Sequence, residues 1–346
     1  MINPARSAKR VFLLSLVLTL SLFSTAATTT PHSVDQKEDK QVTVAIVLFE
    51  GVQIIDYSGP WEVFGQAGFK VFTVADKTEP LTTRFDQKVT PDYSFDNGPD
   101  ADIILLPGGR GTSKAADNPR AINWIQEKAK NARYVMSVCT GAFLLARTGL
   151  LDGLTATTFH SAIPALAQAA PKTKIVYDQR YVDNGKVITT AGLSSGIDGA
   201  LHLVELIQGK GQAQNEALVL EYNWQGDKTP ARAAFADRYL PELGGLDGKY
   251  ISVAGDVDHW DVHAQVWKPA SVTAIMELLK KQIASTPHAS SPVVVSRQSQ
   301  TTQSSELEWK FKDDLGRFWI GYVSAAPFRN EKDNFELTLR LTRQKK

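Results

Sequence analysis

The sequence predicts an α/β fold built on a doubly wound parallel sheet, followed by a small α+β extension, and three observations carry that expectation. Runs 41–49, 101–106 and 134–138 are almost continuously apolar and rich in Val, Ile and Leu, as strands covered on both faces must be. Segments with helical spacing lie between such runs on short links, which is the alternation of a parallel sheet with crossover helices. After residue 224 the pattern changes to Gly, Pro and charge and then to alternating strands, so a second unit begins there.

The chain opens with Arg6, Lys9 and Arg10, an apolar run 11–23 and small residues 24–27. This is the order of a secretory signal peptide cleaved after Ala26 or Ala27, and the run is shorter than the ~20 residues of a spanning helix. Residues 1–27 are therefore expected to be a signal peptide and 28–40 a polar, flexible leader. The location that follows is periplasmic or secreted, with no membrane association after cleavage.

Residues 41–49 form the first strand, and 50–60 a loop carrying Asp56, after which Pro60 opens a helix through Gln66. A second strand covers 69–75, and 85–96 is read as short extended segments. The strand 101–106 runs into Pro107-Gly108-Gly109, and 118–131 is a helix with Ile122, Ile125 and Ala129 inward. Strand 134–138 leads through Cys139 into a helix over 140–146. A short strand at 155–158 and a helix at 161–169 come next, then a hairpin over 174–190 about Asn184-Gly185. Helices over 194–208 and 212–222 complete the domain, assigned to 41–224. A linker follows at 225–248 and the extension at 249–346. The extension reads as a strand over 249–267, a helix over 271–283, a polar stretch at 284–305, a hairpin about 312–316 and a half-buried strand at 334–342.

Charge is nearly balanced, with 38 Lys+Arg against 37 Asp+Glu, so nothing draws the chain to nucleic acid, and no nucleic-acid partner is expected. The one cysteine, Cys139, sits at the corner between a buried strand and Thr140-Gly141-Ala142. Such a corner holds a nucleophile at the carboxyl edge of a sheet, and the following helix start favours thiolate over thiol. A free cysteine is otherwise a small buried apolar residue, and that is the alternative.

Four motifs occur in order: Asp56-Tyr-Ser-Gly-Pro-Trp-Glu-Val-Phe64; Leu106-Pro-Gly-Gly109; Ser137-Val-Cys-Thr-Gly-Ala142 with Gly149-Leu-Leu-Asp-Gly153; and Thr190-Ala-Gly-Leu-Ser-Ser-Gly-Ile-Asp198. Together they resemble the ThiJ/PfpI superfamily, flavodoxin-like relatives of the glutamine amidotransferases. The resemblance spans about 42–224 and is strongest to the isonitrile hydratase branch and to the ligand-sensing halves of AraC-type regulators. It implies a flavodoxin-like sheet with a cysteine elbow, and Asp56 as the acid beside Cys139. Relatives commonly pair through sheet edges or helices, which makes a homodimer one arrangement open to this chain.

Gly108 and Gly109 follow a buried strand, where backbone N–H groups can turn toward a ligand and form an oxyanion-type pocket with the N–H of Thr140. The Thr140 hydroxyl could join the site, or the residue could simply begin a helix. Relatives place a histidine where Phe159 stands here, and His160 comes one residue later. On an extended segment that offset turns the side chain to the opposite face, so a Cys–His dyad is not expected, although His160 stays a candidate base or orienter. In the extension, His259, Asp261 and His263 would share one strand face, a geometry able to hold a metal. They also fit a solvated face opposite Trp260, Val262, Ala264 and Val266, and no metal or other cofactor is expected.

These residues point to an exported cysteine hydratase or hydrolase acting on a small electrophile, an isonitrile by resemblance, with Cys139 as nucleophile and Asp56 as acid. The alternatives are a non-catalytic sensing module of the same fold, or carbonyl protection of the glyoxalase or chaperone kind.

Overall fold

The computed structural model describes residues 41–226, 229–241, 243–285, 295–298, 304–329, 331 and 333–344, the backbone alone at 295–298. The signal peptide and leader (1–27 and 28–40) and most of the polar stretch 284–305 lie outside these residues. From residue 41 onward the chain clusters as one compact unit holding two large sheets.

The first half contains β1 (Thr43–Val47), α1 (Ile54–Gln66), β2 (Lys70–Ala75), β3 (Tyr93–Ser94), β4 (Ile103–Leu106), α2 (Thr112–Ala116), α3 (Pro119–Asn131), β5 (Tyr134–Val138) and α4 (Ala142–Thr148). It continues with α5 (Ile163–Ala169), β6 (Tyr181–Asp183), β7 (Val187–Thr190), α6 (Ser195–Gln208) and α7 (Lys210–Val219). The sheet order is β6-β7-β5-β4-β1-β2-β3. Every pairing is parallel except β6 with β7, which turn about Asn184-Gly185 with Gly185 at φ +82°. This is the flavodoxin-like α/β fold the sequence predicts. Alternation along β1 shows why its run is apolar throughout. Val44 and Ile46 pack in one layer with Phe64, Leu201 and Val204, while Ala45 and Val47 pack in the other with Ile125, Leu144 and Leu145. Helix α3 starts where its sequence says: the Asn118 side chain accepts the Arg120 N–H, and Pro119 takes the first helical position.

Two local readings are corrected. Helix α1 begins at Ile54, with Pro60 inside it, rather than opening at Pro60. The bond Pro60 cannot make is the one to the Asp56 carbonyl in the first turn, and the entry is secured instead by the Gln53 N–H donating to the Gly108 carbonyl at 2.8 Å. The stretch 174–182 is not one strand, since Lys174 and Ile175 pair with Thr155 and Ala156 while the hairpin proper starts at Tyr181.

The second half holds β8 (Asp247–Gly255), β9 (His259–Lys268), α8 (Val272–Ser285), β10 (Val295–Gln298), β11 (Ser305–Lys312), β12 (Phe318–Pro327) and β13 (Phe335–Arg343). They form an antiparallel sheet in the order β8-β9-β13-β12-β11-β10. Residues 249–267, expected as one strand, are a hairpin. Asp256 makes the turn by accepting the N–H groups of Asp258 and His259 through one carboxyl oxygen. One face of the sheet buries Trp260, Val262, Trp319 and Leu339 against Ile275 and Leu279 of α8. The link between the halves is ordered where described. Ala231 donates its N–H to the Asp178 carbonyl, and the Arg238 guanidinium lies 3.8 Å over the Tyr177 ring.

Candidate active site

The carboxyl ends of β1, β4, β5 and β7 converge on Cys139. The residue takes φ +58°, a conformation that a non-glycine side chain adopts only where its surroundings impose it. Those surroundings are tight. A Cβ on Gly141 would stand 1.9 Å from the Leu106 carbonyl oxygen, so only glycine lets the turn after the sulfur pass β4. A Cβ on Gly192, itself at φ +116°, would stand 2.9 Å from the Cys139 Cβ and 3.2 Å from the sulfur. The Cys139 carbonyl accepts the Thr158 hydroxyl at 2.8 Å. The corner is fixed from three sides.

Asp56 faces the thiol from the first turn of α1, and the two side chains are hydrogen-bonded. Its carboxyl is 0% exposed and Cys139 only 7%. Oδ2 accepts the Gly108 N–H and Oδ1 the Leu193 N–H, each at 3.1 Å. Burial nevertheless dominates, raising the Asp56 pKa from the ordinary 3.8 to about 6 against the thiol, those two N–H groups and the Arg84 charge. Burial also pushes the thiol up, and the Asp56 charge adds to it more than the Thr140 N–H relieves. This corrects the expectation that the helix start favours thiolate. The sulfur is followed by a three-residue 3-10 turn and then by a helix of seven residues, a short dipole against a buried carboxylate. Two negative charges cannot share this space, so above about pH 6 the pair holds one proton, on sulfur, directed at the carboxylate.

The expected oxyanion pocket is rearranged. The Gly108 N–H is committed to Asp56, and the Gly109 N–H donates to the Thr140 hydroxyl at 3.1 Å, which is also 2.9 Å from the Thr112 hydroxyl. Gly108 therefore positions the acid and Gly109 the threonine. The Thr140 N–H and hydroxyl are the groups directed at sulfur. Phe159 lines the cleft above Cys139, whereas His160 is absent from its lining and faces Arg232 and Asp237 of the link. His160 opens a 3-10 turn (His160–Ala162) rather than continuing an extended segment, and among the described residues no imidazole lines the cleft.

In the extension, His259 pairs with Asp256 at 2.9 Å, and Asp261 pairs with Arg340 at 2.7 Å and with His263 at 3.1 Å. They lie on the face opposite the core and engage neighbouring charges. Among the described residues no group of three or more His, Cys, Asp or Glu is placed to hold a metal ion.

Several site residues escaped the sequence reading. The cleft, about 320 Å³, is lined by Gln53, Arg84, Phe85 and Arg110 as well as Cys139, Thr140, Phe159 and Leu193. A cavity of about 530 Å³ elsewhere, floored by Val47 and Leu144, includes neither Cys139 nor Asp56. Behind the cleft Arg180 donates to Asp198 at 2.5 Å and to the Ser194 hydroxyl at 3.0 Å, and the Tyr222 hydroxyl donates to Asp198 at 3.2 Å. This buried group clamps the 192–195 turn that presents the Leu193 N–H to Asp56. Asp198 closes the fourth motif, which was the available signal; Arg180 lies in a loop with none.

Comparison with known proteins places this geometry. The profile of the DJ-1/PfpI family matches residues 42–206. Isonitrile hydratase of Pseudomonas putida is 34% identical over 183 residues, 52% of this chain and 78% of that enzyme. The HTH-type transcriptional regulator GbdR of Pseudomonas aeruginosa is 30% identical over 117 residues, 34% of this chain and 31% of the regulator. A solved ThiJ/PfpI family protein from Pseudomonas syringae aligns over 58% of this chain and 84% of its own, with a TM-score of 0.50 and 28% identity. The charge balance argued against a nucleic-acid partner, but likeness to transcriptional regulators gives that expectation no support from the family. With the elbow, its facing acid and these matches in agreement, the chain belongs to the DJ-1/PfpI family.

Proposed function

We propose that this protein is an exported cysteine-dependent hydratase that adds water to the terminal carbon of small isonitriles. The observation that carries the reading is the buried Asp56 carboxyl hydrogen-bonded to the Cys139 thiol at a positive-φ corner. The similarity to an isonitrile hydratase supports it. In the working state Asp56 is ionised and sulfur holds the proton. Asp56 takes that proton and delivers it to the isonitrile carbon as sulfur bonds to the same carbon, giving a thioimidate, R–N=CH–S–Cys139. Water then adds to this carbon and a proton goes to nitrogen. The C–S bond breaks, sulfur recovers its proton through Asp56, and R–NH–CHO leaves. One isonitrile and one water give one formamide, with no cofactor required. The Thr140 N–H and hydroxyl hold sulfur whenever it carries charge.

The test is formamide release by the purified chain from a panel of small isonitriles. The rate should rise through about pH 6, as Asp56 ionises, and vanish in Cys139→Ser. Unchanged formamide release in Cys139→Ser would remove the reading.

A second reading, a sensing module, is favoured by the raised thiol and by the imidazole-free cleft, and by similarity to GbdR. It predicts that isonitriles bind and are recovered unchanged.

A further inference from the structure

We propose that the substrate of this site carries a carboxylate, held by Arg84 and Arg110, beside an apolar substituent. Arg84 and Arg110 both border the cleft that contains Cys139, and no acid lines it, since Asp56 lies fully buried beneath. Among the described residues neither Arg84 nor Arg110 meets a carboxylate, whereas Arg120, Arg147 and Arg180 each pair with an aspartate. Arg84 is held in place: it donates to the Gln53 side-chain oxygen at 3.1 Å, and Gln53 is itself buried. Its remaining N–H donors suit the planar, two-oxygen face of a carboxylate. Both arginines are exposed, so an anion can reach them from solvent as it enters the cleft.

Arg110 stands at a junction. Together with Gly109 and Thr140 it also lines an adjoining cavity of about 520 Å³ whose walls include Phe143, Ala146 and Ala162 as well as the Arg147–Asp117 ion pair. An apolar group there and an anion on the arginines fit one molecule whose central carbon bears both, along with the reacting group. On the hydratase reading, on which this part of the inference rests, the reaction is R–CH(CO₂⁻)–N≡C plus water giving R–CH(CO₂⁻)–NH–CHO. Such a carboxylate also acts on the acid. The Arg84 charge is one of the influences holding Asp56 down, and an anion on Arg84 cancels it, so bound substrate helps Asp56 keep the proton it must deliver.

The test separates binding from turnover. Calorimetric titration of the full chain with N-formylleucine and with its methyl ester should show the free acid binding at least about tenfold more tightly. The preference should collapse toward unity in an Arg84→Met/Arg110→Met double variant whose circular dichroism and melting match the wild type. Equal binding of acid and ester, survival of the preference in the double variant, or inorganic phosphate displacing N-formylleucine more effectively than acetate does would each overturn the proposal. Turnover of 2-isocyano-4-methylpentanoate against its methyl ester tests the chemistry. Acid-selective binding with no turnover of either keeps the carboxylate site and removes the hydratase. Equal turnover of both keeps the hydratase and removes the carboxylate site.

Discussion

Asp56 makes folding stability depend on pH in the direction opposite to an ordinary paired carboxylate. Its pKa rises from 3.8 in the unfolded chain to about 6 in the fold, so the folded state binds the extra proton. The favourable contribution is complete below pH 3.8 and is lost as pH climbs through about 6. At roughly 1.4 kcal/mol per pH unit, that displacement is worth roughly 3 kcal/mol. The residue is fully buried, so solvent screening does not reduce the figure. Asp56→Asn removes the titration. Its amide places an N–H₂ against one of two backbone donors, Gly108 or Leu193, which adds an offset independent of pH. Urea unfolding of both proteins between pH 4 and pH 7 isolates the effect, because every other titrating group cancels in the difference. Wild-type stability minus variant stability should fall by roughly 2.4 kcal/mol over that range, the remainder of the displacement lying below pH 4. A flat difference, or one that grows with pH, would refute the account of burial as the dominant influence.

Gly192→Ala would drive a methyl into Cys139 at a backbone angle that favours glycine, and should cost more than about 2 kcal/mol in denaturant unfolding. Arg180→Met strands the buried Asp198 carboxylate and should cost about 3–5 kcal/mol, read from the same melts. Phe159→His returns an imidazole to the cleft and should raise the rate of Cys139 alkylation by iodoacetamide at pH 7 at least about tenfold. An unchanged rate would mean that position 159 does not influence the sulfur.

The parallel sheet was legible because its strands are buried on both faces, leaving the continuous apolar runs at 41–49, 101–106 and 134–138. Cys139, Asp56 and the Phe159/His160 offset were legible because each lies in or beside a motif with fixed spacing. The protonation state of the thiol was not. Helix position can be read from sequence, but burial against a carboxylate 83 residues earlier (139 minus 56) depends on tertiary packing. The roles of Gly108 and Gly109 were misplaced for the same reason, since which acceptor an N–H meets is a property of the assembled site. Arg84 and Arg110 sit in loops without periodicity, and only the fold shows that both border the cleft. The turn at Gly255-Asp256 was masked in the strand read over 249–267 because strand-forming residues continue on both sides of it, from Tyr250-Ile251 to the alternation of Trp260, Val262 and Ala264.

On the hydratase reading, a sulfur that surrenders its proton only to a neighbour, and only when a bound molecule can receive it, is dormant at rest. Peroxides and passing disulfides meet a neutral, enclosed thiol, which attacks them slowly and has no sister cysteine in the chain to trap it. Reactivity is then a property of the loaded site instead of the empty one. Such a residue can persist through long exposure to oxidants without a repair partner.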